Sequence, residues 1–297
     1  MNLLVTGAWR CAQQQLDTLT QLGHCVYFLQ NESDPLPLAY ESVEGVICNG
    51  LFLHHEIEKF TRLRYIQLTS AGFDRVPMAY IREHNIEIHN ARGVYSIPMA
   101  EFALSGVLQL YKQSRFFGEN QKMHRWEKHR GLLELQGKNV CIVGCGSVGT
   151  ECAKRFAAFG CGVTGVDLFP REDSRYGCIK AMEELDAVLP QADVVVLTLP
   201  LTEETRHLMD KNRLANMKAG AVLVNIARGA IVDTTALIQW LRENRGAAVL
   251  DVFEEEPLGE DSPLWELENV IVTPHNSFVG EGNQDRLFHV IIENLRE

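Results

Sequence analysis

Short apolar runs alternate along this chain with stretches of helical period. In the first 95 residues the runs 2–6, 24–29, 45–48, 65–68 and 87–89 predict strands, and stretches 11–22, 56–60 and 77–84 predict helices between them. Asp34-Pro35-Leu36-Pro37 marks a loop. Pro98 then opens an apolar stretch, 99–117, that predicts one long helix. A polar, basic and aromatic stretch follows at 118–130, with His124, Trp126 and His129. Beyond it, runs 139–143, 161–167, 192–197, 221–225, 247–251 and 270–272 predict six further strands. Helices are predicted through Phe159 and at 181–189, 211–217 and 234–244, and a last one, 283–296, stands apart. Strands and helices that alternate almost throughout imply α/β architecture with parallel sheets. A chain of 297 residues suggests two domains. The isolated last helix suggests that it returns to the first, giving 1–95 plus 277–297 as one domain and 96–276 as an inserted second.

The segment KNVCIVGCGSVG (138–149) carries the most specific local pattern. A buried strand ends in Gly144-Cys145-Gly146-Ser147-Val148-Gly149, a helix follows, and the next strand ends on Asp167. Each part suits a dinucleotide. Gly144 permits the tight turn, Gly146 lets backbone approach a pyrophosphate, and Gly149 lets helix and strand pack closely. Ser147 and Val148 open the helix, whose N-terminal N–H groups and dipole favour phosphate. Asp167 stands where a carboxylate accepts from the adenosine ribose. Arg171 and Arg175 lie close enough in sequence to soften a preference for NAD over its 2′-phosphate form.

Charge and composition narrow the partners. A net charge of −11 opposes binding to nucleic acid or anionic membranes. Apolar content of 46% is ordinary, and no run reaches the roughly 18 residues that span a bilayer. The opening MNLLVTGAWR reads as a strand rather than a signal peptide, so the cytoplasm is expected. The eight cysteines form no CxxC pair, which points to reduced thiols rather than disulfides or a metal site.

Three elements follow the fingerprint, each at the C-terminal end of a predicted strand, where open parallel sheets bind ligands. They are Asn225-Ile226-Ala227-Arg228-Gly229, then Asp251-Val252-Phe253-Glu254-Glu255-Glu256-Pro257, then Thr273-Pro274-His275-Asn276. Singly, Arg228 reads equally as a solvated loop arginine, Glu256 as part of an acidic run, and His275 as a loop histidine. Together they suit hydride transfer to a 2-keto acid. The guanidinium forks onto the substrate carboxylate. The imidazole gives a proton to the forming alkoxide. The carboxylate favours imidazolium and orients its ring.

The chain resembles the D-isomer-specific 2-hydroxyacid dehydrogenase family, which includes glyoxylate/hydroxypyruvate reductases and phosphoglycerate dehydrogenases. The resemblance rests on ELQGKNVCIVGCGSVG, LPLTEETRHLMD (199–210), MKAGAVLVNIARGAIVD (217–233), VLDVFEEEPL (249–258) and VIVTPHNS (270–277), with weaker matches SAGFD (70–74) and IPMAEFAL (97–104). It implies two doubly wound parallel-sheet domains, a Rossmann NAD-binding domain inserted into a flavodoxin-like substrate domain. It implies Arg228, Glu256 and His275 as the catalytic trio. Leu199, Pro200, Thr205, Ile226, Ala227 and Asp251 join Arg228 and His275 around NAD. Ala71 and Gly72 hold the substrate carboxylate. A D-specific, NAD-dependent oxidoreductase acting on a small 2-keto or 2-hydroxy acid is therefore expected, as a homodimer paired through 114–130. Two alternatives use the same fold: a corepressor-like, dinucleotide-responsive scaffold, and formate-dehydrogenase-like chemistry, which the Glu256/His275 pair disfavours. Phosphoglycerate dehydrogenases carry an arginine in a Val-Arg-Ser stretch where this chain has Ile47-Cys48-Asn49-Gly50, which weakens the case for a phosphorylated substrate. Arg75 follows Asp74 where relatives commonly carry asparagine.

Overall fold

A computed structural model describes residues 1–296; the expected domain end at Glu297 lies outside them. The chain forms two compact units. The first comprises Met1–Tyr95 and the residues from Gly280 onward, and the second Ser96–Val279.

The first unit contains β1 (Asn2–Thr6), α1 (Gln13–Gln21), β2 (Cys25–Leu29), β3 (Gly45–Cys48), β4 (Tyr65–Leu68), α2 (Met78–Glu83) and β5 (Glu87–His89). Its strands form one parallel sheet in the order β2-β1-β3-β4-β5, the flavodoxin-like winding. The predicted helix at 56–60 is a single 3₁₀ turn, Ile57–Lys59.

The second unit opens with α3 (Ser96–Tyr111) and α4 (Ser114–Lys122). This corrects the single helix expected over 99–117: Gln113, at φ +53°, breaks the run in a left-handed conformation. The fingerprint follows as β6 (Asn139–Val143), α5 (Ser147–Ala158) and β7 (Gly162–Asp167). A strand not foreseen, β8 (Cys178–Ala181), comes next. Then come α6 (Leu185–Val188), β9 (Val194–Leu197), α7 (Lys211–Asn216), β10 (Ala221–Asn225), α8 (Thr234–Arg242), β11 (Gly246–Leu250) and β12 (Val270–Val272). All seven strands are parallel, in the order β12-β11-β10-β9-β6-β7-β8. The winding reverses between β6 and β9, which places a switch-point crevice at their C-terminal ends. The last helix, α9 (Asn283–Asn294), belongs to the first unit.

Both faces of each sheet are covered, which explains strands that read as unbroken apolar runs. In the second unit Val140, Ile142, Val194 and Val224 pack with Ala103, Val107 and Phe156, while Cys141, Val195 and Leu223 pack with Leu185, Leu237 and Trp240. Gly106 brings α3 directly onto β11, since a Cβ there would stand 2.5 Å from Val249 Cγ1. In the first unit α9 supplies Leu287, Ile291 and Ile292 to the face formed by Leu3, Val5, Trp9 and Ile47.

Candidate active site

The turn after β6 is built for a ligand at the switch point. Gly144 has φ +94°, and a Cβ on it would lie 2.7 Å from the Leu199 nitrogen at the end of β9. A Cβ on Gly149 would lie 2.1 Å from the Gly144 oxygen, so this helix–strand contact requires glycine. Gly146 differs: it is exposed, and a Cβ there would meet nothing within 4 Å. Gly146 also caps α5 without a side-chain hydrogen bond, leaving the helix amides open to a ligand. Open space over bare backbone at an uncapped, twelve-residue helix fits a pyrophosphate.

The Asp167 carboxylate borders the same turn. Oδ2 accepts from Cys145 N at 2.6 Å and Oδ1 from Phe169 N at 3.0 Å, which fixes its orientation. Leu168 and Phe169, 67% and 78% exposed, form an apolar edge beside it. The two nearby arginines are both engaged. Arg175 is clasped by Asp173 through two 2.6 Å contacts, and Arg171 donates to the Cys145 carbonyl. Burial pushes the Cys145 thiol up to about 11, so it is uncharged and unreactive at neutral pH.

The remaining residues expected on the cofactor side lie at or just beyond strand ends of the second unit. Leu199, Ile226 and Ala227 are buried and Pro200 is exposed. Thr205 is buried, and its hydroxyl donates to Pro200 O at 2.8 Å and accepts from Thr202 N at 2.7 Å, so it shapes the 200–205 turn. Asn225, which sequence reasoning did not single out, organises the arginine loop: Oδ1 accepts from Ala227 N and Nδ2 donates to Arg228 O. Its place at a strand end before a turn was the available signal. Arg228 is half-buried and donates from Nη1 to Ala227 O at 2.8 Å.

Glu256 and His275, nineteen residues apart in sequence, meet. Glu256 Oε2 lies 2.8 Å from His275 Nδ1, and Oε1 accepts from Phe253 N at 2.9 Å. A carboxylate only accepts, so Nδ1 carries a proton and Nε2 is the nitrogen left for exchange with a substrate. The ring is 42% exposed, open enough for a small molecule to reach. Asp251 is fully buried and holds the turn that presents this histidine. It accepts from Thr273 Oγ1, Asn276 N and Ser277 N, while its carbonyl accepts from His275 N. His275 itself sits at φ +50°.

In the first unit, Ala71 and Gly72 form a shaped loop after β4. Asn90 Nδ2 donates to Ala71 O at 2.6 Å and Ser70 Oγ to Gly72 O at 3.1 Å.

The family model described as D-isomer specific 2-hydroxyacid dehydrogenase, NAD binding domain, matches residues 104–277. The chain is 35% identical over 244 residues to an (S)-sulfolactate dehydrogenase of Chromohalobacter salexigens, covering 81% of this chain and 79% of that protein. It is 34% identical over 267 residues to a glyoxylate/hydroxypyruvate reductase B of Citrobacter koseri, covering 86% and 82%. A D-isomer specific 2-hydroxyacid dehydrogenase from Xanthobacter autotrophicus Py2, solved with NADPH and MES, superposes with a TM-score of 0.80 at 30% identity over 99% of this chain and 94% of that one. This chain belongs to the D-isomer specific 2-hydroxyacid dehydrogenase family.

Proposed function

We propose that this NAD-dependent oxidoreductase reduces a small, unphosphorylated 2-keto acid, with His275 as proton donor, Glu256 as its carboxylate partner and Arg228 as the carboxylate-binding cation. The observation that carries the reading is the 2.8 Å contact of Glu256 with His275 Nδ1, in the same unit as a glycine turn fitted for a dinucleotide. Gly144, Gly146, Ser147, Val148, Gly149 and Asp167 would hold the adenosine and pyrophosphate, and Ile226 and Ala227 would border the rest. When bound, the nicotinamide supplies the hydride. Arg228 pairs with the substrate carboxylate through its planar fork. His275 Nε2 gives its proton to the carbonyl oxygen as charge develops there, and Glu256 stabilises the imidazolium and its orientation.

An unphosphorylated substrate is favoured by the first unit. Where phosphoglycerate dehydrogenases carry arginine, this chain has Asn49. Its amide and that of Gly50 donate to the Glu32 carboxylate at 2.7 and 2.6 Å. Asn49 itself offers no positive charge to a second anionic group.

The test is oxidation of NADH, and separately NADPH, with glyoxylate, hydroxypyruvate, pyruvate and branched 2-keto acids. Turnover of at least one acid is expected, with higher kcat/KM for NADH, because Asp167 repels a 2′-phosphate and accepts from a 2′-hydroxyl. No turnover with any of them would favour the scaffold reading, and equal kcat/KM for the two cofactors would remove Asp167 as the selector.

We also propose a homodimer. Trp126 is 96% exposed and Met123 57%, beside a concavity of about 740 Å³ lined by Phe117, Asn120, Arg125 and His129. An exposed aromatic flanked by arginines and lysine suits an interface centre with a polar rim. Light scattering at micromolar concentration should give about twice the chain mass of 33.5 kDa, and Trp126→Asp should lower it towards one chain. A wild-type monomer at that concentration would rule the dimer out. The cytoplasm is the compartment proposed, in keeping with eight unpaired cysteines. No helix of the described residues is long and apolar enough to cross a membrane.

A further inference from the structure

Residues 252–258 carry Glu256 but lie in no strand or helix. Among the described residues, none of their main-chain groups bonds another main-chain group. Contact and side-chain hydrogen bonds must therefore hold the segment in place. Its start is anchored by buried Val252. Its main chain then lies against the arginine loop: a Cβ on Gly229 would stand 1.8 Å from the Phe253 carbonyl carbon and 2.4 Å from Glu254 N.

The next residue supplies the polar anchor. Glu254 Oε1 accepts from Thr234 N, at the first turn of α8, at 2.9 Å. Its Oε2 lies 2.8 Å from His207 Nε2. His207 is fixed in turn, since its N–H donates to Ala230 O at 2.8 Å and neighbouring Met209 bridges Val232. It adopts φ +51°, a left-handed conformation that side chains rarely accept, to present its ring there. Two carboxylates two residues apart thus engage different partners: Glu254 ties the segment to the 207–234 region, and Glu256 reaches His275. Burial raises the Glu254 carboxyl, but the bonds from Thr234 and His207 outweigh it and hold this group below the usual glutamate value.

We propose that Glu254 and His207 are positioning residues for the acid/base pair, anchoring the irregular segment so that Glu256 is held on His275 Nδ1. The proposal rests on the reading of His275 as proton donor. Without the anchor, Glu256 keeps only its own bonds to Phe253 N and the imidazole. The segment then samples placements in which His275 is unsupported. Such misplacement lowers the chemical step while leaving the glycine turn and the Asn225-braced Arg228 loop in place.

Glu254→Ala and His207→Ala are therefore expected to lower kcat about tenfold. The KM of the keto acid and the NADH dissociation constant, read by fluorescence, should stay unchanged. His207→Gln, which retains an N–H donor at similar reach, should recover most of the loss. In a Glu256→Gln background, adding Glu254→Ala should cost nothing further, because no carboxylate remains to be positioned. Additive losses, an undiminished kcat in Glu254→Ala, or a raised KM with kcat kept would each overturn the proposal. Should Glu254→Ala not fold, the His207→Ala and His207→Gln pair decides by the same criteria. Failure of the underlying reading looks different: His275→Ala itself would then remain active.

Discussion

His275→Ala should lower kcat for the best 2-keto acid by roughly 10²–10⁴, the range for loss of a general acid. The alkoxide formed on hydride arrival then has only water to protonate it. NADH binding should change little, because the glycine turn follows β6 and Asp167 ends β7, whereas His275 follows β12. Stability should change little as well, since the ring is 42% exposed and Asp251 holds the turn through main-chain groups of its neighbours. Steady-state kinetics with a matched fluorescence titration of NADH separates the two effects. A His275→Ala enzyme turning over at near the wild-type rate would place the proton donor elsewhere.

Arg228→Ala should act through the substrate instead. A charged fork on a carboxylate contributes about 3 kcal/mol, so its removal should lower kcat/KM by roughly 10². Most of that loss should appear as a higher keto-acid KM if the contact is equally strong in ground and transition states. Arg228→Lys should recover only part of it, because an ammonium is a point charge without the planar pair of donors. The arginine loop should survive both changes, since Asn225 braces it through Ala227 N and Arg228 O, main-chain groups that neither substitution alters. Unchanged keto-acid kinetics in Arg228→Ala would remove this residue from the substrate site.

Much of this was legible from residues alone because the relevant signals are local. β3, β6 and β10 are four or five residues long and almost wholly buried, so apart from a terminal asparagine in β6 and β10 each appears as an unbroken apolar run. The glycine turn is legible for another reason: Gly144 and Gly149 answer a φ or a contact that a side chain would obstruct, while Gly146 leaves open space over bare backbone. The misreadings share the opposite cause. β8 is an edge strand, CIKA, with no fully buried position, so no apolar run announces it. The helix break at Gln113 lies in Lys112-Gln113-Ser114-Arg115, a short polar stretch between apolar ones that an exposed helical turn would also show, so the single left-handed residue leaves no pattern of its own. The roles of Asn225, His207 and Glu254 depend on partners brought together only by folding. Arg175 looked available for a cofactor phosphate, but Asp173 two residues earlier already holds it.

The interleaving of the two units bears on biosynthesis. The second unit is one continuous segment, so every strand of its sheet has been translated by residue 279. The first unit begins earlier and is completed later, because its sheet must wait for α9 to bring Leu287, Ile291 and Ile292 onto Leu3, Val5 and Ile47. During elongation that apolar face stays open to solvent or to chaperones while the dinucleotide-binding unit can already close. The first domain to emerge from the ribosome is thus the last to be finished.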